Sequence, residues 1–368
     1  MRTEVVLTVG GNEASDLLPV RSPAVLAAHG ARRAFWTVLD EGPVEECLAL
    51  LVEGADGRWA GHHQWVDAGA EEGRTEDGEA LSRHDGWVYV VGSHFGSKRG
   101  PLRAKRGFVA RFREDEAADG VPRLHVVRNR FRLHRTINDA LRRSGLALAT
   151  PGEWVRERFI VETIRRGHAR GKRWVARLDP ADLPVNVEAA AWTARGTLLL
   201  GLRYPVAADG APLLVELGGV AGMFEAEQTW PHAVGVYAVT GVTPPGQLTG
   251  FRALADRPDG GFDAVVGSID ALGKQSALLD DHPEGGDVYC RHVRFPLPDA
   301  CAGAAVPGRL VADLAPLHHV EGLAEGDGHR YYVTDEDHRI ALLVDCDEAA
   351  EPGGTPQPDG ATGLAAAP

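Results

Sequence analysis

The sequence predicts an all-β chain closed into a β-propeller of five to seven blades, six being the favoured number, with a helical insertion around 133–168. Three observations predict it. Short apolar runs bounded by turn residues fill most of the chain, a hairpin-sized unit recurs along it, and the length suits radial repetition of such units. A sandwich of hairpins is the competing architecture.

The strands come first. FWTVLD (35–40), WVYVVGS (87–93), TLLLGLR (197–203), GFDAVVGS (261–268) and RYYVTD (330–335) are too short for buried helices and rich in Val, Leu or aromatic residues. Each falls inside a repeat. EALSRHDGWVYVVGSH (79–94), EAAAWTARGTLLLGLR (188–203), RALADRPDGGFDAVVGS (252–268) and EGLAEGDGHRYYVTDE (321–336) read as an apolar strand, a polar turn with Gly, and a stronger apolar strand with a polar end. AVLAAHGARRAFWTVLDE (24–41) is a looser copy. Three copies open on glutamate (Glu79, Glu188, Glu321), and fifteen positions further on stand His94, Arg203 and Glu336. The copies start about 55, 109, 64 and 69 residues apart, so the long gap holds two blades or one blade with an insertion.

That gap carries the helical signals. Thr150-Pro151-Gly152-Glu153 offers an N-cap, a proline at the first helical position and an early glutamate, and WVRERFIVETIRR then runs to Gly167 as a C-cap. TINDALRRSG (136–145) makes a second short helix. The propeller is assigned to 1–346 with its insertion at 130–170, and the Pro-, Gly- and Ala-rich 347–368 is expected to be a disordered tail.

Composition narrows the function. At 44% apolar and 25% charged, the 368 residues read as a soluble globular chain. No apolar run reaches the ~18 residues that span a bilayer, and MRTEVVLTVG lacks a signal-peptide pattern, so a cytoplasmic location and no membrane partner are expected. A net charge of −13 argues against a nucleic-acid partner. The four cysteines show no CxxC spacing, which excludes a disulfide framework or zinc finger. GxSxG, P-loop, GxGxxG-before-helix and HExxH patterns are missing, which disfavours a nucleotide cofactor and conventional serine-hydrolase chemistry.

SPAVLAAHGARRAFWTVLDE, VYVVGSHFGS, NVEAAAWTARGTLLLGLRYP and HVEGLA with YYVTDED resemble the signature stretches of the DUF3616 family, over roughly 20–347 with a break at 100–180. The resemblance implies a propeller of unestablished function, distantly similar to phytase and esterase-like propellers, and through them a calcium-assisted phosphoester hydrolase. The chain departs from the family's EGLA form at Ala189-Ala190.

The repeats also predict a site on physical grounds. The start of one strand of an antiparallel hairpin and the end of the next share an edge. If the first strands line the channel, their tips gather at one mouth. Glu188, Arg203, Glu321 and His94 are then the candidate catalytic residues. Ser93, Lys98, Arg99, Tyr204 and Ser268 are the candidate substrate-binding residues, Lys98 and Arg99 coming from the basic stretch KRGPLRAKR. Glu79, Asp40, Glu41, Asp335 and Glu336 are candidate ligands for Ca²⁺ or Mg²⁺, because crowded carboxylates either hold protons or bind a hard cation. A metal beside an anion clamp suits hydrolysis of a phosphoester or other anionic ester, so the expected partner is a small anionic molecule. Three alternatives stand beside this one. The glutamates can bond neighbouring backbone and lock the ring, the propeller can bind a small molecule or protein without catalysis, or it can be a metal-independent biosynthetic enzyme.

Overall fold

The computed structural model describes residues 2–9, 13–39, 42–270, 275–336 and 339–346, the side chain of Glu336 excepted. Among these, the strands form five sheets of four or five strands. The first blade is Ala14–Pro19, Ala31–Leu39, Leu48–Gly54 and Trp59–Gln64, and the second is Gly78–His84, Trp87–Gly92, Phe108–Arg113 and His125–Arg128. The third runs Asn186–Trp192, Leu198–Tyr204, Leu213–Gly218 and His232–Thr240, with Ala304–Pro307 added in parallel at its edge. The fourth is Gly250–Asp256, Phe262–Gly267, Arg291–Phe295 and Arg309–Asp313. The fifth joins Val320–Gly326, His329–Glu336 and Arg339–Cys346 to the N-terminal strand Arg2–Leu7.

The first strand of every blade packs on the first strands of its two neighbours, and the fifth returns to the first, so the sheets close a ring. Pairing of Arg2–Leu7 with Arg339–Cys346 brings the first and last described strands into one sheet. Apolar residues fill the seams between blades. Trp36 of the first blade meets Phe112 of the second edge-on, with ring centroids 5.2 Å apart.

Among the described residues the sheets number five, within the expected five to seven and one fewer than the favoured six, and the long gap between repeats holds one sheet followed by an insertion. The loose repeat copy at 24–41 is corrected in its first half. Pro23–Ala28 is a helix, with Ser22 Oγ accepting the Val25 N–H at 3.4 Å and Pro23 in the first turn. The innermost strand of that blade is Ala14–Pro19 instead.

The insertion holds helix Arg132–Arg143 and a second helix, Glu153–Arg156, which continues through a π stretch at Glu157–Val161 into Glu162–Ala169. Two details differ from the sequence expectation. Gly152, not Thr150, caps the second helix, and its N–H is taken by the Asp281 carboxylate at 2.7 Å. Gly167 lies inside the helix, where a Cβ would collide with Val175 and Trp174, so it is a packing glycine and not a C-cap. The predicted tail 347–368 lies outside the described residues.

Each innermost strand slips register near its start, and the third does so twice, between Asn186 and Val187 and between Val187 and Ala189. The pairing skips Asp16 and Leu17, Glu79, Glu188, Arg252, and Glu321 in blades one to five. A bulge of this kind leaves a residue unpaired and re-aims its side chain. A charged residue sits at the bulge in all five blades, in the frame DLL, EAL, EAA, RAL and EGL.

Candidate functional site

The mouth where innermost strands begin and second strands end opens into a cavity of about 1130 Å³. Glu79, Glu188 and Glu321 reach it from their bulges, Arg203 and Asp335 from the ends of second strands, and Lys98, Arg99, Arg103, Lys105 and Arg106 from the loop after Gly92. That loop is braced from behind by the insertion. Leu102 N–H donates to Thr163 Oγ1 at 2.9 Å, and Phe95 stacks on Phe159 at 4.7 Å. The insertion therefore supports the cavity wall; among the described residues none of 129–185 lines it.

At the floor, Arg203 Nη1 stands 3.0 Å from Glu188 Oε1 and 3.8 Å from Glu321 Oε1. Glu188 also accepts from Asn186 Nδ2 at 2.7 Å. Glu321 accepts from Ser15 Oγ at 3.2 Å and pairs with the buried Arg252. Burial, then the Asp335 carboxylate, push the Glu321 carboxyl up to about 8 against the pull of Arg252. Burial would lower Arg203, but the carboxylates of Glu188, Glu321 and Asp270 outweigh it and hold the guanidinium above its ordinary value.

A second carboxyl pair lies beside the first. Asp77, two residues before the bulge as Asn186 is, bonds Glu79, Ser93 Oγ and Arg106 Nη1, the last at 2.8 Å. Burial raises its pKa despite Arg106. Along the rim, burial opposes ionisation of Glu76, yet Arg103 and Arg106 draw its pKa below the usual range.

The two other bulge residues lock the ring. The buried Asp16 accepts Leu17 N–H at 2.7 Å and, across the seam, Leu81 N–H at 2.6 Å. Burial pushes it up to about 7 against those two bonds. Arg252 Nε donates to the Val320 carbonyl of the next blade at 3.3 Å. One repeat position thus serves both readings the sequence offered, a site for three glutamates and a blade-to-blade tie for Asp16 and Arg252.

The structure brings Glu79, Glu188, Glu321, Arg203, Lys98, Arg99 and Asp335 to one cavity. It corrects four other residues. His94 adopts φ 60°, which turns its ring into the interior between the Gly92 carbonyl at 2.7 Å and Asn129 Nδ2 at 2.8 Å. Burial lowers its pKa to about 4. Ser93 is buried behind the cavity and holds Asp77 and the Phe95 N–H. Tyr204 is buried in the apolar cluster that joins the insertion to the blades. Ser268 Oγ bonds the Gly286 and Val288 carbonyls at 2.9 and 3.1 Å. Asp40, Glu41 and the side chain of Glu336 lie outside the described residues.

Asp77, Asn186 and Asp270 also line the cavity and were not singled out in the sequence, whereas Arg106 belongs to the basic stretch that was. The signal for Asp77 and Asn186 was their shared offset from the repeat glutamate.

Calcium or magnesium needs several oxygen ligands converging on one point. Among the described residues, the group whose ligand atoms all lie within 4.8 Å of one another is Asp263, His292 and Glu325, outside this cavity. Two arginines already fill it: Arg294 Nε and Arg257 Nη1 each stand 2.6 Å from the Asp263 carboxylate and both reach Glu325 at 2.9 Å. In the cavity, Glu188, Glu321 and Asp77 each face an arginine. Those three carboxyl groups are matched to guanidinium groups, and among the described residues no cluster of ligand atoms that close gathers in the cavity.

No family model matches the chain, and no curated protein matches its sequence. In architecture it is similar to a mannose phosphorylase from Leishmania mexicana in complex with phosphate ion, at 8% identity, covering 94% of this chain and 88% of that one with a TM-score of 0.40. It is similar too to an exo-1,5-alpha-L-arabinanase from a bovine ruminal metagenomic library (12% identity, 92% and 94% covered, TM-score 0.40). A GH43 beta-1,3-galactosidase gives 11% identity, 90% of each chain covered and a TM-score of 0.41. The propeller rests on the sheet topology of this chain, and the reading of its site on its own residues.

Proposed function

We propose that the chain is a hydrolase of a small anionic ester, with its active site in the cavity at the mouth of the channel. The observation that carries this reading is Arg203 Nη1 standing between the carboxyl groups of Glu188 and Glu321, whose surroundings differ. Two carboxyl groups whose environments are pushed apart can divide acid and base roles. Glu321, raised to about 8, holds a proton at neutral pH and gives it to the leaving oxygen. Glu188, paired with Arg203 and Asn186, takes a proton from the attacking water. Arg203 stays cationic beside both and stabilises negative charge as it builds on the ester oxygens. The basic loop with Lys98, Arg99 and Lys105 favours an anionic substituent at the rim.

No step of this reaction passes through a metal, and a phosphoester, the substrate class that the resemblance to the DUF3616 family implies, is one case of such an anionic ester. A non-catalytic binding role is the second reading, favoured by the saturation of the central carboxylates with arginine. A panel of carboxylic and phosphate monoesters separates the two. Turnover that is lost in both Glu188→Gln and Glu321→Gln, with ligand binding kept, supports the hydrolase; binding without turnover in the unaltered chain supports the second reading.

A further inference from the structure

Two buried polar atoms, on two residues that line the cavity, have no partner among the described residues. Asn186 opens the innermost strand of the third blade and is 6% exposed. Its Nδ2 donates to Glu188 Oε1 at 2.7 Å, and because a carboxylate only accepts, that bond fixes which end of the amide faces the glutamate. The other end, Oδ1, is a buried acceptor with nothing donating to it. Arg203 is 9% exposed; its Nη1 is held by Glu188, and its Nε–H is a buried donor with no acceptor. Both residues line the same cavity beside the carboxyl pair. Buried polar groups are normally satisfied, so an orphaned acceptor and an orphaned donor at one site point to a ligand that supplies both.

We propose that Asn186 and Arg203 form a hydroxyl-reading subsite, and that the substrate is an anionic ester of a polyol or sugar. A hydroxyl gives a hydrogen bond to Asn186 Oδ1 and takes one from Arg203 Nε, whereas a phosphate or carboxylate could satisfy only the arginine and would leave the amide oxygen unpaired. An alkyl ester would leave both orphaned. The subsite reads specificity and takes no part in proton transfer. This inference rests on the hydrolase reading for the ester, but the hydroxyl contact is tested separately from it.

Calorimetric titration of the full chain with three probes tests it: glycerol 3-phosphate, propyl phosphate and erythritol. Glycerol 3-phosphate is expected to bind at least about tenfold more tightly than propyl phosphate, the effect of hydrogen bonds to a charged and a buried polar group. Asn186→Ala is expected to remove most of that advantage, the ratio of the two affinities falling toward one, while its thermal melt beside that of the unaltered chain reports that the fold is intact. Equal affinity of the two phosphates in the unaltered chain overturns the hydroxyl subsite, water then filling the place, and leaves the anionic reading standing. Erythritol binding that Asn186→Ala abolishes, with both phosphates failing, supports the subsite and overturns the anionic reading. Failure of all three probes overturns both.

Discussion

Arg203 Nη1 stands 3.0 Å from Glu188 Oε1, fifteen residues back along the chain, because the hairpin between them returns the end of its second strand to the start of its first. The same nitrogen reaches Glu321 of the fifth blade at 3.8 Å, so one guanidinium joins two separate repeats. Both contacts are buried, where breaking one side of an ion pair leaves an uncompensated charge.

Arg203→Ala should therefore cost about 3–5 kcal/mol of stability, the range for exposing a buried charge to the loss of its partner. Arg203→Lys should recover part of this and less of the turnover, since an ammonium cannot present two nitrogens in a plane. Urea unfolding beside kcat measurements on the two variants checks both halves. Arg203→Ala melting like the unaltered protein would remove the pair from the stability argument.

Glu188→Gln and Glu321→Gln should each lower kcat by about 10²–10⁴-fold, the usual contribution of a positioned acid or base. With Glu321 at about 8, the unaltered rate should fall as pH rises past 8 because the acid loses its proton. In Glu321→Gln that alkaline limb should vanish from the residual rate. A pH profile of kcat/KM for both proteins decides it; a limb that survives the substitution assigns the acid elsewhere.

Stability should decline toward alkaline pH. Asp16 and Glu321 have folded pKa values of about 7 and 8, raised above the ordinary carboxyl range, so the fold binds their protons more tightly than the unfolded chain does. Their contribution is full below the ordinary carboxylate pKa and is lost as pH climbs through 7 and 8. Asp16→Asn should flatten the lower part of this decline and cost about 1–3 kcal/mol, because the amide keeps one acceptor where two N–H groups, of Leu17 and Leu81, now bond. Thermal melts from pH 5 to 9 read the slope.

Acid should destabilise the fold through histidine as well. Burial lowers His94 to about 4, and burial followed by Arg135 lowers His134 to about 3. Both are neutral in the fold, so their contribution is present above the ordinary histidine pKa and is lost as pH falls from there through 4 and 3. His94→Gln should remove part of the acid sensitivity. Denaturation midpoints at pH 4 and 7 test it, and an unchanged ratio between the variant and the parent would falsify the assignment.

Chelation should leave turnover unchanged, since Glu188, Glu321 and Asp77 are each matched to an arginine and the cluster of close ligand atoms among the described residues lies outside the cavity. Ester hydrolysis before and after EDTA treatment is the measurement. A loss restored by calcium or magnesium would place a cation in the mechanism.

That this chain repeats a hairpin, and that three of its repeats begin on glutamate, is legible in its residues, because strand and turn chemistry is local and recurs in spelling. From that followed the β class, the common mouth and the meeting of Glu79, Glu188 and Glu321. The sequence also carried, unread, Asp16 and Arg252 in the same frame, hidden because a different residue type stands at the repeated position. The number of sheets came from the packing, since it depends on whether the stretch before Asn186 folds as a blade or as a buttress. The tertiary structure alone turned His94 inward, since a left-handed backbone angle after a strand reverses the face that period-two alternation predicts. It also chose a partner for each charge. Such choices are made across seams between blades far apart in sequence, where burial and distance, not spelling, set which carboxyl keeps its proton and which gains an arginine.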